Sequence, residues 1–474
     1  NPSNIVWNPK TNKLKIIDFG ISTVLLREIA AVHNPNVLEG TLAYISPEQT
    51  GRMNRMLDYR TDLYSLGVTF YEMLTNQLPF PTKDAMELVH CHIAKEPIPP
   101  HHVKISSLAG DQMGIEILSK IIMKLMSKTA EERYQSVFGL NTDLGNCLEQ
   151  LYTAGKIKDF VIAQKDISDK FQIPQKLYGR EKEIEILLNS FDRVCQGTKE
   201  MMMVTGYAGI GKSALVNEVH KPIVAKRGYF ISGKFDQFKR NIPYSALIQA
   251  FQQLIKQILT EKDEQIIAWK EKILGTVGSN GQVIIDVIPE VELIIGKQPP
   301  VPELPSQESQ NRFNLFFQNF IRVFASKEHP LTIFLDDLQW VDLPSLNLIE
   351  LFITDTETKY MFLIGAYRDN EVDASHPLLI TLDEIKKTLA KINTITLPPL
   401  DLTYVNQLLT DTLKCFSEKA QELAKLCMNK TNGNPFFLKQ FLQTLYEEQL
   451  FKFDIKQMTW HWEIDKIGKM KITD

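Results

Sequence analysis

What this sequence lacks narrows its class before any motif is read. No apolar run approaches the ~18 residues that a membrane-spanning helix needs, and Met201-Met202-Met203-Val204 is far too short. Only five cysteines occur, Cys91, Cys147, Cys195, Cys415 and Cys427, scattered and with no C-x-x-C pair. That spacing argues against a zinc site or a disulfide framework and suits a reducing compartment, so a soluble, cytoplasmic chain is expected. Neither sign of charge dominates: 53 Lys and Arg against 57 Asp and Glu leave a net charge of -4, with no acidic or basic tail to engage nucleic acid or an anionic membrane. Internal repeats and low-complexity segments are missing too, and 44% hydrophobic with 23% charged residues is the balance of folded globular domains, which excludes disorder and fibres. The first residue is Asn1 with no signal-like apolar stretch behind it, and the chain is read as a piece whose ends need not be natural.

What is present divides the 474 residues into unequal parts, within the two to four domains expected at roughly one per 100 to 200 residues. Residues 1–153 open with short β-type runs (Asn4 to Trp7, Leu14 to Ile17) and continue with amphipathic helical patterns. Asp62 to Leu74 is almost continuously apolar, as a helix buried on most sides would be, and should form the core there. Pro97-Ile98-Pro99-Pro100 reads as a loop. Residues 154–176 are polar and Lys/Asp-rich with weak periodicity, and are expected to be a linker. From 177 to 400, strand-like runs (Met201 to Thr205, Tyr229 to Ser232, Leu331 to Leu335, Tyr360 to Ala366) alternate with helical ones (Ser213 to Lys226, Pro344 to Thr354), the signature of a parallel sheet flanked by helices. Residues 401–474 read as a helical C-terminal subdomain and the start of a further module, with strand suggestions at Phe451 to Phe453 and Thr459 to Trp462. Trp460 and Trp462 alternate along that last run and share a face, as core residues do.

The strongest motif is Gly206-Tyr207-Ala208-Gly209-Ile210-Gly211-Lys212-Ser213, which matches G-x-x-x-x-G-K-[ST] between a hydrophobic strand and a helix. In that context the glycines Gly206, Gly209 and Gly211 let backbone N–H groups wrap phosphates, Lys212 reaches the β and γ oxygens of ATP, and Ser213 offers a hydroxyl to Mg²⁺. Thr332-Ile333-Phe334-Leu335-Asp336-Asp337 supplies the partner strand that ends in acids. Asp336 is expected to hold Mg²⁺ and Asp337 to polarise the attacking water, so the chemistry is phosphoryl transfer to water, driven by positioning and charge stabilisation. Asp337 is shorter by one methylene than the Glu that many related motors carry there, which bears on the rate.

From Tyr178 to about Leu450 the chain resembles the AAA-related, STAND-type P-loop NTPases. The likeness rests on Gly179-Arg180-Glu181 before the first strand, the Asp-Asp-Leu-Gln-Trp-Val-Asp string at Asp336 to Asp342, Ala366-Tyr367-Arg368-Asp369 at a strand end, and Gly433-Asn434-Pro435-Phe436-Phe437. It implies that Arg180 and Pro435 border the adenine and that Arg368 senses the γ-phosphate. Residue types alone also allow Arg368 an ordinary surface ion pair, and Gly433-Asn434-Pro435 a helix cap and restart.

Residues 1–153 resemble the mostly α C-lobe of a protein Ser/Thr kinase. Asp18-Phe19-Gly20 follows an apolar strand, and Asn4 precedes Asp18 at about the spacing of the catalytic-loop Asn, so the resemblance makes both Mg²⁺ ligands. Gly40-Thr41-Leu42-Ala43-Tyr44-Ile45-Ser46-Pro47-Glu48 is similar to the end of an activation segment, with Ser22, Thr23 and Thr41 candidates for phosphorylation. Asp62, Ser65 and Gly67 match the D-x-x-S-x-G helix start, and Arg133 stands where a late Arg pairs with Glu48. The catalytic Asp of H-R-D-x-x-x-x-N would fall before Asn1, and the 474 residues hold no N-lobe Gly-rich strand pair or V-A-I-K lysine.

The order kinase, linker, NTPase resembles large multidomain signalling proteins of cyanobacterial type, two-component systems among them. That implies a protein substrate for the kinase and further sensor and histidine-kinase modules in the same parent, with ATP and Mg²⁺ as cofactors. The alternative is a regulatory ATP-binding scaffold with an inactive kinase module and no turnover. Lesser signals are read as structural: His90-Cys91-His92 lacks the helical spacing of a metal site, and Lys234 to Arg240 fits a strand edge with solvated tips. These 474 residues alone are expected to transfer no labelled γ-phosphate to casein or to themselves, and transfer abolished by Asp18→Ala would contradict that.

Overall fold

The computed structural model describes the chain except residues 20–40, 51–56, 83, 104–111, 169, 239–241, 260, 262, 389, 455, 456, 458 and 471–474. Two compact units result. The first comprises Asn1–Lys176, Asn406–Ala424 and Leu442–Asp474, and the second Leu177–Val405 and Lys425–Phe441. Gly20, Ser22, Thr23 and Gly40 lie outside the described residues.

The first unit begins with an antiparallel hairpin of β1 (Ile5–Asn8) and β2 (Lys13–Ile16), paired from Ile5 opposite Ile16 to Asn8 opposite Lys13. Asn8 Oδ1 accepts from the Lys10 and Thr11 amides and so closes the turn. Four helices follow: α1 (Arg60–Thr75), α2 (Ala85–Ala94), α3 (Gln112–Leu125) and α4 (Val137–Ala154). The apolar run expected as core forms α1, which buries Leu63, Tyr64, Gly67, Val68 and Tyr71. At Gly67 the helix crosses α3 so closely that a Cβ would lie 2.8 Å from Leu125 Cβ, so glycine sets the approach of the two helices. Asn76 ends α1 in the left-handed region at φ 55, while Ser136 caps α4 by accepting from the Gly139 amide.

The expected Glu48 and Arg133 pair is present and fully enclosed. Arg133 Nη1 and Nη2 donate to the two Glu48 oxygens at 2.6 and 2.7 Å, and Thr61 Oγ1 adds a third bond at 2.9 Å. The remaining guanidinium hydrogens go to the carbonyls of Ser127, Arg60 and Lys128, and the group lies over the Tyr64 ring. Burial pushes the Glu48 carboxyl up, but Arg133 outweighs it and holds the group below the ordinary range.

Residues 154–176 correct the expectation of a linker. Asp166 accepts from the Gln135 and Ser136 amides and from Ser136 Oγ at 2.7, 2.8 and 2.9 Å, the Ala163 amide donates to Asp143, and Ile157 is buried with Leu140 and Cys147. The polar residues that read as linker are the partners of helix ends. Phe171 stacks on Tyr446 at 4.8 Å and meets Trp460 edge-on, beside the hairpin of β8 (Lys452–Asp454) and β9 (Thr459–His461), so this C-terminal stretch belongs to the first unit's packing.

The second unit is built on five parallel strands, β3 (Lys199–Thr205), β4 (Tyr229–Lys234), β5 (Leu331–Asp336), β6 (Met361–Tyr367) and β7 (Ile392–Thr396), in the order β4-β5-β6-β3-β7. Alternation splits each strand between two cores. Met201 and Met203 join Ile231, Phe251 and Phe320 on one face, and Met202 and Val204 join Leu187, Val194 and Ile364 on the other. α5 (Glu181–Cys195) covers the second face, and α6 (Lys212–Asn217) follows β3. The single helix expected over Ser213 to Lys226 is two, because Pro222 cannot donate to the carbonyl four residues back and the chain restarts at His220–Ala225. Strand β7 was not expected at all.

Arg133→Met should destabilise the first unit by ~3–5 kcal/mol, since it strands a buried carboxylate, and Glu48→Met with Arg133→Met should recover part of the loss. The depressed Glu48 value adds a pH signature. Its stabilisation is present above the carboxyl's unfolded pKa of 4.5 and is lost as pH falls through the folded value. Denaturant unfolding followed by circular dichroism at several pH values measures both effects.

Candidate functional site

Parallel strands deliver all their following loops to one edge, and the sequence-predicted residues of the second unit gather there. After β3 the chain turns through Gly206, Gly209 and Gly211 at φ 142, 75 and 103, and Gly211 leads into α6. At Gly209 the positive φ is reinforced by sterics, since a Cβ would lie 2.7 Å from Phe436 Cβ. Lys212 is buried in this loop, with Nζ donating to the carbonyls of Gly206 and Tyr207 at 2.7 and 2.9 Å. Burial holds its ammonium below the usual lysine range, and Arg368 adds to that, against an upward pull from Asp336.

The end of β5 faces this loop. Ser213 Oγ donates to Asp336 Oδ2 at 2.8 Å, and the Asp337 amide donates to Asp336 Oδ1 at 2.9 Å. Burial raises the Asp336 carboxyl, and the neighbouring Asp337 charge acts in the same direction. An ionisable oxygen and a hydroxyl at this separation are the hard donors Mg²⁺ takes, usually with phosphate and water completing its shell, so the donor set fits that ion.

Asp337 is placed differently. Its backbone is left-handed, φ 54 and ψ 45, and its carboxylate accepts a hydrogen bond from Gln339 Nε2 at 2.9 Å on Oδ1 and forms ion pairs with Arg368, Nε 3.6 Å from Oδ1, and Lys234, Nζ 3.1 Å from Oδ2. Arg368, at the end of β6, is bound to Glu371 at 2.7 Å and lies over the Trp340 ring, so it makes the ion pairs that residue types allowed. Gln339, Trp340 and Lys234 went unassigned in the sequence. Gln339 and Trp340 sat inside the matched string, and Lys234 ends the strand beside the acid-bearing one.

The Gly433 to Phe437 segment docks on the phosphate loop. Asn434 Nδ2 donates to the Ala208 carbonyl at 2.9 Å and the Phe436 amide to Gly209 at 3.3 Å, with Pro435 opening the helix Pro435–Glu447 between them. Arg180 precedes α5 and donates to the carbonyls of Pro398 and Gly179, which ties it to the chain just past β7. Burial holds its guanidinium below its ordinary value. A Cβ on Gly179 would collide with the Tyr404 ring.

Asn4 and Asp18 belong to the first unit. The Ile17 amide donates to the Asn4 carbonyl at 2.9 Å, so the hairpin brings both residues to one end, and Asp18 takes φ 64. His92 bridges Tyr64 OH and the Leu42 carbonyl, each at 3.0 Å, and burial lowers it to about 4. Among the described residues no group of three or more His, Cys, Asp or Glu could hold a metal ion.

Comparison with known proteins matches residues 1–142 to the protein kinase domain and residues 176–364 to the AAA ATPase domain. Hybrid signal transduction histidine kinase G of Dictyostelium discoideum is 34% identical over 92% of this chain and 15% of that protein. The peroxide stress-activated histidine kinase mak3 of Schizosaccharomyces pombe is 23% identical over 90% of this chain and 21% of that protein. Serine/threonine-protein kinase PknB of Mycobacterium tuberculosis is 33% identical over 30% of this chain and 21% of that protein. The chain thus spans about a fifth or less of the relatives it matches, and these relatives give no support to a cyanobacterial parent.

Asp336→Asn should raise the melting temperature of the metal-free protein near neutral pH and remove any gain on adding Mg²⁺. A raised folded pKa stabilises below the carboxyl's unfolded value and loses that contribution as pH rises through the folded one, so ionised Asp336 is a cost at neutral pH. The two proteins should converge on acidification. A lower melting temperature for Asp336→Asn at neutral pH in thermal scans would contradict the assignment.

Proposed function

The chain carries a protein kinase domain at its N-terminus followed by an AAA ATPase domain, and from that premise we propose a signal-transduction protein in which the second unit is an ATP-binding and ATP-hydrolysing switch of STAND type. The observation that carries this is the meeting of Ser213 and Asp336 at 2.8 Å beside the glycine loop and Lys212. Loop amides and Lys212 would hold the phosphates, and Ser213 with Asp336 would hold Mg²⁺, which when bound neutralises charge on the phosphate oxygens. Asn434 and Phe436 lock the helix Pro435–Glu447 onto the loop, consistent with Pro435 and Arg180 bordering the base. In hydrolysis, water oxygen bonds to the γ-phosphorus as the bond to the bridging oxygen breaks, and the water proton passes to Asp337 while Arg368 balances developing charge. The bound γ-phosphate would then favour one arrangement of sheet and helical segment and couple turnover to signalling.

For the first unit the proposal is the C-lobe of a Ser/Thr protein kinase in the parent, with Asn4 and Asp18 as its Mg²⁺ ligands, a protein as its substrate and further signalling modules attached, in the cytoplasm. The buried Glu48 and Arg133 pair supports this reading, because it anchors the segment from Thr41 onward. A second reading is favoured by one observation. A hydrogen bond from Gln339 and two flanking cations, Lys234 and Arg368, engage the Asp337 carboxylate, which suits a unit that binds ATP with little turnover.

Lys212→Ala should weaken ATP binding about 10- to 100-fold, as loss of a hydrogen bond between charged groups implies. Asp337→Asn should preserve binding and suppress phosphate release. Calorimetric titration with a non-hydrolysable ATP analogue and a steady-state phosphate assay separate the two, and undiminished binding by Lys212→Ala would sink the site.

A further inference from the structure

Three segments of the second unit meet at Gln339, a buried residue of the short 3₁₀ turn Leu338–Trp340 that follows the two acids. Its Nε2 donates to Asp337 Oδ1 at 2.9 Å, its Oε1 accepts from the Arg368 amide at 3.2 Å, and its own carbonyl accepts from His376 Nε2 at 3.2 Å. His376 stands 37 residues further on, half-buried, just before the helix Pro377–Lys386. Its Nδ1 accepts from the Leu378 amide at 3.2 Å and so caps that helix. A ring nitrogen that accepts carries no proton, so the proton sits on Nε2, where it meets the Gln339 carbonyl.

We infer that His376 is a positioning residue for ATP hydrolysis, which by holding the Gln339 carbonyl fixes the turn that sets Asp337 against Arg368. The inference rests on the reading of Asp337 as the group that orients the attacking water. Bonds inside the turn, from the Trp340 amide to the Asp337 carbonyl at 3.0 Å and from the Val341 amide to the Leu338 carbonyl at 3.2 Å, keep its shape but do not tie it to another segment. The bond from His376 ties it to the start of a helix whose Leu378, Leu382 and Ile385 are buried in the core on one face of the sheet. The brace is therefore built on an element that the core already holds. A turn released from it would let Gln339 shift, and one shift would move two partners together: the Asp337 carboxylate and the backbone of Arg368, whose Nε lies 3.6 Å from Asp337 Oδ1. Attack on the γ-phosphorus depends on such positions to within about an ångström, whereas phosphate binding by Lys212 and the glycine loop does not pass through this turn. His376 thus acts through Gln339 and is not itself a catalytic residue.

The test uses the full chain with ATP and Mg²⁺, with phosphate release for kcat and KM and calorimetric titration of a non-hydrolysable ATP analogue for affinity. His376→Ala removes both bonds of the ring, His376→Asn keeps an acceptor at the δ position for the helix cap, and His376→Gln keeps an ε-amide that reaches the Gln339 carbonyl. His376→Ala and His376→Asn should each lower kcat about three- to tenfold, the scale of one lost neutral hydrogen bond, with KM and analogue affinity unchanged. His376→Gln should recover most of kcat although it lacks the cap. In the Gln339→Ala background His376→Ala should lower kcat no further, because the link to Asp337 and Arg368 is already gone. A residue that only capped the helix would reverse the order, with His376→Asn retaining kcat and His376→Gln losing it. That reverse order, or wild-type kcat in His376→Ala with hydrolysis still sensitive to Asp337→Asn, overturns the positioning role alone. Should His376→Ala fail to fold, the order of the Asn and Gln variants decides by itself. Hydrolysis insensitive to Asp337→Asn, or absent from the wild type, overturns the turnover reading and the positioning role together.

Discussion

The parallel register of β5 and β3 against β6 is the constraint on which the second unit depends. Thr205 pairs with Tyr367 and Leu335 with Gly365, so the glycine loop, the acids and Arg368 all leave the sheet at one level. A slip of one residue would turn every side chain of a strand to the opposite face and exchange its two cores. Gly365 eases the close approach locally, since a Cβ there would meet Leu338 Cδ1 and lie 2.9 Å from Met203 Cε, and a larger residue would require those side-chain ends to shift where the turn after β5 folds back over β6. The bond between Ser213 and Asp336 is the consequence of that register across two strands that are not neighbours.

The first unit solves a different problem with a buried ion pair. Desolvating a carboxylate and a guanidinium costs several kcal/mol each in order of magnitude, and it is tolerated only where every donor and lone pair is met. Glu48 and Arg133 meet that condition with two bonds to each other, one from Thr61 and three to carbonyls. Replacing either partner leaves the other charged and enclosed, which explains why such a pair fixes the segment around Pro47 to α1.

Much of this was legible in the sequence where a motif and a period coincide. The phosphate loop, the acid-ended strand, α1 and the Glu48 and Arg133 pair each combine residue identity with an element of definite periodicity. What was not legible falls where one of the two is missing. β7 is an edge strand whose Ile-Asn-Thr-Ile-Thr exposes three of five residues, so it lacks the apolar run that marks the central strands. Residues 154–176 have no clear period, and their order comes from scattered apolar residues such as Ile157 joining the first unit's core and from carboxylates such as Asp166 bonding to amides that are distant in sequence. Lys234 reads as a solvated strand end until the register sets it against Asp336 and Asp337.

The two key charges at the sheet edge are displaced in opposite directions, and this bears on what the site is built for. Burial lowers Lys212 and raises Asp336, so each group is pushed toward its neutral form. They do not relieve each other by direct contact: Lys212 donates to loop carbonyls and Asp336 accepts from Ser213. Charges arranged for stability alone would be paired, as Glu48 is with Arg133, and Glu48 is correspondingly shifted the other way. A buried lysine and a half-buried aspartate, each bonded to neutral partners and not to each other, are complementary to an anion beside the first and a cation beside the second. A phosphate chain carrying a divalent ion supplies both at once. The cost of holding these charges apart is then recovered on binding, so ligand occupancy and the stability of this edge rise together by mass action. Asp337 has partners of its own within the chain, a hydrogen bond from Gln339 and ion pairs with Arg368 and Lys234. Under the proposed function, the groups that would meet phosphate and metal are thus those not paired with each other, whereas the acid proposed for turnover is already held by partners within the chain.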